Sequence, residues 1–145
     1  MHWLLLGLLV FAHAAGAGEF VGRVVKIQDG DSITVLVSRK QIKVRLTEID
    51  APERKQPFGT RSRQSLGELC GGQDARVVEQ GKDRYGRTLG YLYLREGDML
   101  NAELIRQGFA HAYTRFPFRY LVEFRRLEKE ARGRGVGLWS SCPVS

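Results

Sequence analysis

Between Phe20 and Ile49 apolar residues alternate with charged and polar ones in three short runs, a period of two that predicts three successive strands. The first covers Phe20–Gln28, rich in Val and Ile and mixed with Arg23 and Lys26. Asp29-Gly30-Asp31 is a turn, with Gly30 suited to a positive φ. Ser32–Ser38 places Ile33, Val35 and Val37 on one face, Arg39-Lys40 turns the chain, and Gln41–Ile49 alternates Ile42, Val44 and Leu46 against Lys43, Arg45 and Thr47. Short connections make this meander antiparallel. Counted outward from the Arg39-Lys40 turn, Asp31 falls opposite about Glu48, so Asp31 and Asp50 are expected to meet at one end of the sheet. Pro52, without an N–H to donate, stops the ladder and drives Ala51 toward an extended conformation.

Downstream the period changes. After a polar loop over Glu53–Gly59, Thr60 is positioned to cap a helix running to about Cys70 with Leu66 and Leu69 as its anchors, and Gly71-Gly72 ends it. Ala75–Gln80 and Thr88–Leu94 read as two more strands around the turn from Gly81 to Arg87. A second helix is expected near Met99–Gln107, stopped by Gly108, followed by a short extended piece at Ala110–Tyr113. Leu121–Arg132 is the third helix, its apolar stripe formed by Leu121, Phe124, Leu127 and Ala131. Five strands with three helices in one domain over residues 20–140 fit a small, partly open barrel of the OB type.

The first residues stand apart. Trp3–Phe11 is an apolar run shorter than the ~20 residues needed to span a bilayer, and small-residue sites follow at Ala12–Ala14 and Ala15–Ala17. Residues 1–17 are therefore expected to be a signal peptide, cleaved after Ala14 or Ala17, and the mature protein to be secreted or periplasmic. This leader contains no Lys, Arg, Asp or Glu, so the remainder keeps the formal charge of +7. A basic excess favours polyanions, without choosing among nucleic acid, acidic polysaccharide and anionic membrane. Nothing after Phe20 resembles a membrane span, so no stable membrane association is expected, and a monomer is.

Only Cys70 and Cys142 are present; in an exported protein they are either bridged, for roughly 4 kcal/mol in the chain-entropy account, or two independent thiols. His2 and His13 fall in the leader, which leaves His111 alone. That excludes a two-histidine ribonuclease, a paired-histidine phosphodiesterase and a His/Cys zinc site.

What remains is carboxylate and guanidinium chemistry. Asp31 and Asp50, brought together, can hold a hard cation through oxygen, with the backbone carbonyl of Ala51 as a further donor. Glu53 can accept a proton from attacking water, and Arg45 and Arg87 can grip phosphate oxygens. Each has a plainer alternative: a hairpin turn for Asp29-Gly30-Asp31, a solvated strand face for Arg45, a packing plug for Tyr85, a surface ion pair for Asp83-Arg84.

Asp29-Gly30-Asp31-Ser32, the run Arg45-Leu46-Thr47-Glu48-Ile49-Asp50-Ala51-Pro52-Glu53, and Asp83-Arg84-Tyr85-Gly86-Arg87, followed by Leu104–Gly108 and Leu138-Trp139-Ser140, resemble the staphylococcal nuclease (thermonuclease) family in order and spacing. The resemblance implies an OB-fold barrel with three helices and a calcium-dependent endonuclease cleaving DNA and RNA to products with 3′-phosphates; magnesium is expected to be less effective, because it dehydrates reluctantly. It further implies that Arg45, Arg87 and Glu53 are the catalytic set and that Asp31, Asp50 and the Ala51 carbonyl hold the metal. Arg84, Tyr85 and Tyr113 would contact the nucleotide. Ala51 stands where the staphylococcal enzyme has threonine, and the Arg54–Gly59 loop is shorter than in that enzyme. The rival from another class is a noncatalytic OB module binding single-stranded nucleic acid, which needs no carboxylate cluster. A third is a secreted barrel that binds an acidic polysaccharide or a protein.

Overall fold

The computed structural model describes residues 18–95 and 97–140. The leader expected over residues 1–17 and one partner of the Cys70–Cys142 pair lie outside them. Strands β1 (Glu19–Asp29), β2 (Ser32–Val37) and β3 (Lys40–Leu46) form the expected antiparallel meander. Strands β5 (Asp74–Lys82) and β6 (Thr88–Leu94) form a second hairpin, and the sheet closes in the order β1-β2-β3-β6-β5, with β5 returning to β1. The barrel is thus closed rather than partly open. Its seam is a short parallel pairing of β3 with β6, Val44↔Thr88 to Leu46↔Gly90.

Helices α1 (Gly59–Cys70), α2 (Leu100–Arg106) and α3 (Leu121–Arg134) pack outside the strands. Val24, Ile33, Val35, Val44, Leu46, Val77 and Leu92 fill the barrel, and Leu66, Leu104, Phe124 and Leu127 carry the same core out to the helices. Among the described residues no helix is long and apolar enough to cross a membrane.

Four local expectations are corrected. The β2–β3 turn is Ser38-Arg39, one residue earlier than Arg39-Lys40, with Ser38 at φ 56°. Strand β3 does not run to Ile49. The Leu46 N–H donates to the Asp31 carbonyl and the Thr47 N–H to the Gly90 carbonyl, after which the chain bends through Glu48 at φ 66°. Ile49–Asp50 is then a separate strand, β4, paired with β7 (His111–Ala112). A bend at a glutamate is hard to foresee, because a left-handed conformation is rare outside Gly, Asn and Asp. Here the buried Glu48 carboxylate accepts from the Tyr120 N–H at 3.1 Å, where α3 begins.

Thr60 does not cap α1. That helix starts at Gly59 behind Phe58, which sits at φ 69° with its ring stacked on Phe109. A Cβ on Gly59 would lie 1.9 Å from the Glu53 carbonyl oxygen, so helix start and Glu53 loop are pressed together. Gly30 likewise answers to space rather than to a positive φ, since an added Cβ would meet Ser62 at 2.7 Å and Ala51 at 2.9 Å. Cys70 is buried, its Sγ donates to the Leu66 carbonyl at 3.2 Å, and burial pushes its thiol up to about 12.

These contacts make two glycines opposite in kind. Gly30→Ala is expected to destabilise the fold by about 1–3 kcal/mol, the scale of overpacking. Gly67→Ala, inside α1 with only Ile27 at 3.7 Å from the new methyl, is expected to stabilise it by up to about 1 kcal/mol. Urea unfolding of both variants checks this; equal shifts of the same sign would refute the packing account of Gly30.

Candidate nucleic-acid cleft and cation site

The parallel seam sets the site. Arg45 on β3 pairs with Leu89 on β6, and Arg87 lies two residues before Leu89, so strand alternation turns both arginines to one face of the barrel. Arg45 and Arg87 line a cleft of about 310 Å³ together with Arg84, Tyr85 and Tyr113. Residues more than 60 positions apart in sequence, such as Arg45 and Tyr113, are thereby brought together.

Arg45 is not the outward, solvated cation that its strand position implied. Its side chain is only 18% exposed, because Nη1 donates to the Leu46 and Ile49 carbonyls at 2.5 and 3.0 Å and so grips the bend after β3. Its Nη2 lies 3.4 Å from Asp31 and 3.7 Å from Asp50. The two aspartates therefore do meet, although the β2–β3 register puts Asp31 opposite Leu46 rather than Glu48, and the separate β4 carries Asp50 back. The Ala51 N–H donates to Asp31 Oδ2 at 2.8 Å, which fixes the Ala51 backbone beside the pair.

Asp31 is starved of compensating charge. Burial pushes its carboxyl above the ordinary value, and proximity to Asp50 adds to that. The Arg45 charge and the hydrogen bonds from Ala51 and Ser32 oppose the shift without cancelling it. The guanidinium distances also exceed the roughly 2.7–2.9 Å of a tight charged hydrogen bond. Buried, under-compensated Asp31 and exposed Asp50 offer carboxylate oxygens of the kind that fit a hard divalent cation. Among the described residues no three of His, Cys, Asp and Glu cluster, so water would supply much of its coordination.

Arg87 is held differently. Its Nε donates to Asp83 Oδ2 at 2.7 Å, while Asp83 Oδ1 accepts from the backbone N–H groups of Tyr85 and Arg87, each at 2.9 Å. Asp83 thus pairs with Arg87, not with Arg84. Desolvation pushes the Asp83 carboxyl upward, but these hydrogen bonds and the Arg87 charge outweigh it and hold the group below the ordinary value. Arg84 instead donates to the Tyr85 hydroxyl at 2.8 Å and lies over its ring. Tyr85 is 69% exposed, so it is not a packing plug. On the opposite wall the Tyr113 N–H donates to the Glu48 carbonyl, and its ring leans on Phe118 and Phe116.

Glu53 is the sequence candidate that the structure leaves apart. It is exposed, its N–H donates to Gln56 Oε1, and its carboxylate joins no ion pair among the described residues. Its loop nonetheless adjoins Asp50 and Ala51 through Pro52. His111 packs edge-on against Trp139, with Nδ1 3.4 Å from Glu128, in keeping with a packed side chain. Sequence reasoning missed Asp83 as the support of Arg87, although an aspartate heading a Gly-containing turn with arginine four residues on was the available signal. It also missed Phe116, Phe118 and Glu48, whose roles depend on the bend after Thr47.

Since the folded Asp83 carboxyl lies below its ordinary value, its contribution is complete above the unfolded value and is lost as pH falls through the folded one. The Arg87 Nε–H resonance is accordingly expected to be slow-exchanging at neutral pH, where the Asp83 carboxylate is ionised. In Asp83→Asn it should exchange rapidly at neutral pH. A slow-exchanging Arg87 Nε–H in that variant would sink the assignment.

The chain matches the family described as staphylococcal nuclease homologue over residues 43–141. It is 46% identical to a protein named Protein ParB of Escherichia coli, over 93% of this chain and 80% of that one. It is 44% identical to a protein named micrococcal nuclease of Shigella flexneri, over 84% of this chain and 75% of that one. An uncharacterized endonuclease of Haemophilus influenzae is 42% identical over 81% of this chain and 65% of its own length. With the five-stranded barrel, the paired arginines and the aspartate pair in place, these matches show that the chain belongs to the staphylococcal nuclease family.

Proposed function

We propose that this protein is an exported endonuclease that hydrolyses phosphodiester bonds of DNA and RNA with the help of a divalent cation, leaving 3′-phosphates. The observation that carries the reading is the convergence of Arg45, Arg87, Tyr85 and Tyr113 on one cleft, with Asp31 and Asp50 both held near the Arg45 guanidinium. Tyr85 and Tyr113, with Arg84 beside them, stack on and hold the bases; stacking ignores the sugar, which suits cleavage of both DNA and RNA.

The scissile phosphate lies against Arg45 and Arg87, whose guanidinium groups offset the charge that develops on its oxygens. Water attacks phosphorus, Glu53 takes its proton, and the P–O5′ bond breaks, so phosphate stays on the 3′ side and the 5′ oxygen leaves as an alkoxide that takes up a proton from solvent to become a hydroxyl. Asp31, Asp50 and the Ala51 carbonyl would hold calcium, which supplies positive charge and alignment at this site. Calcium suits so sparse a donor set better than magnesium, which demands near-ideal octahedral geometry and dehydrates reluctantly.

Glu53→Gln and Arg87→Ala are expected to lower kcat by about 10² or more while changing substrate affinity far less. Tyr85→Ala should weaken binding by roughly 1–3 kcal/mol. Chelation with EDTA should abolish cleavage, and calcium should restore it better than magnesium. Purified protein, plasmid and RNA, with the product termini identified, test all of this. If both Glu53→Gln and Arg87→Ala cleave like wild type, the catalytic reading fails and the cleavage comes from another site or a contaminant.

Export rests on the leader at residues 1–17. Intact mass measurement of protein recovered outside the cytoplasm is expected to show a start at Ala15 or Gly18; retention of Met1 would overturn it.

A further inference from the structure

A second groove of about 400 Å³ adjoins the cleft and shares Tyr85 and Arg87 with it. Its walls carry Lys40, Lys43 and Lys82. The barrel register gathers them: Lys82 on β5 pairs with Thr88 on β6, Thr88 pairs with Val44 on β3, and Lys43 precedes Val44. Lys40 opens the same strand β3, next to the Ser38-Arg39 turn. All three lysines are exposed, and none joins an ion pair among the described residues. The acid of this groove, Glu79, is partly buried with a carboxylate oxygen near Gly18 and pairs with none of the lysines, so against Lys40, Lys43, Lys82 and Arg87 the groove keeps a net positive charge.

Three free ammonium groups in one groove form a site for a polyanion. Continuity identifies which one. Tyr85, 69% exposed, and Arg87 line both the cleft that takes the reacting nucleotide and this groove. A strand leaving the cleft past Tyr85 enters the lysine groove directly. Lysine acts on phosphate as a point charge and asks nothing of base or sugar, so the subsite suits a backbone of any sequence.

We propose that this groove is a second subsite, in which Lys40, Lys43 and Lys82 hold the phosphodiester backbone running on from the reacting nucleotide. The inference rests on the nuclease reading above. The protein then favours longer strands over dinucleotides, and the preference falls as salt rises.

The test compares wild type with Lys40→Ala/Lys43→Ala/Lys82→Ala and with the charge-preserving triple arginine variant, folding being verified by circular dichroism. Cleavage is measured on a dinucleotide and on a single strand of about twelve nucleotides. Binding of the longer strand is measured in EDTA across a salt series. In the alanine variant the ratio of kcat/KM for the long strand over the dinucleotide is expected to fall about tenfold. The slope of log affinity against log salt should become shallower by about 2, three lost contacts at about 0.7 each. The arginine variant should restore both. If the triple alanine variant does not fold, Lys40→Ala and Lys82→Ala singly are each expected to reduce the slope by about 0.7. An unchanged ratio and slope, or an equal loss on both substrates, overturns the subsite. A wild type that cleaves neither substrate overturns the nuclease reading instead, and the salt slope of binding in EDTA still decides the groove.

Discussion

The short parallel pairing of β3 with β6 is the constraint on which the rest of the site depends. It covers only Val44↔Thr88 to Leu46↔Gly90. It alone places Arg45 of the first meander beside the strand that follows Arg87. Where the ladder runs out, the side chain of Asn101 takes over. Asn101 is fully buried at the start of α2; its Nδ2 donates to the Thr47 and Gly90 carbonyls, and its Oδ1 accepts from the Leu92 N–H. An amide that satisfies three backbone groups in a dry interior is worth more than its net hydrogen bonds, since each group left unpaired there costs about 1–3 kcal/mol. Helix α2 is thereby tied to both sides of the seam, and the end of β3 is held where the chain must bend toward Asp50.

Charge is arranged on that frame in two different ways. Asp83 meets Arg87 in a tight contact and organises its own turn through two backbone N–H groups, so the guanidinium is oriented before any phosphate arrives. Such preorganisation is what an electrostatic site needs, because nothing then has to be rearranged as charge develops. Arg45 is anchored instead by carbonyls, and its contacts with Asp31 and Asp50 are loose. Burial raises the Asp31 carboxyl and these contacts do not cancel it, a local imbalance that a bound cation would correct. A stable fold tolerates that imbalance because Ala51 and Ser32 share the load.

Close backbone approach holds the pieces in register. Gly30 lets the first hairpin sit directly on Ala51 and on Ser62 of α1, while Gly59 lets α1 begin against the Glu53 carbonyl. The helix, the aspartate-bearing turn and the Glu53 loop therefore form one packed unit. On the other side of the cleft the Glu48 bend joins Tyr113 through its carbonyl and the start of α3 through its carboxylate. Movement of either helix would be felt at the site.

Much of this was legible in the chain. The period-two runs, the Gly71-Gly72 and Gly108 stops and the apolar stripe of α3 located the barrel strands and three helices, because those signals act over neighbouring residues. The motif residues on Asp31, Arg45, Asp50 and Arg87 were readable for the same reason. What sequence could not show depends on contacts between distant segments. The left-handed bend at Glu48 divides one expected strand into two, and its carboxylate is balanced by Tyr120, 72 residues away. Thr60 looked like a cap, yet the packing of Phe58 on Phe109 and of Gly59 on Glu53 started α1 earlier. Local propensity is worth tenths of a kcal/mol to about 1 kcal/mol per residue, and burial readily exceeds it. The sequence by itself determined the elements and the chemical types at the site. Tertiary structure decided which side chains share one cleft, because the parallel β3–β6 seam sets Arg45 beside the strand that follows Arg87.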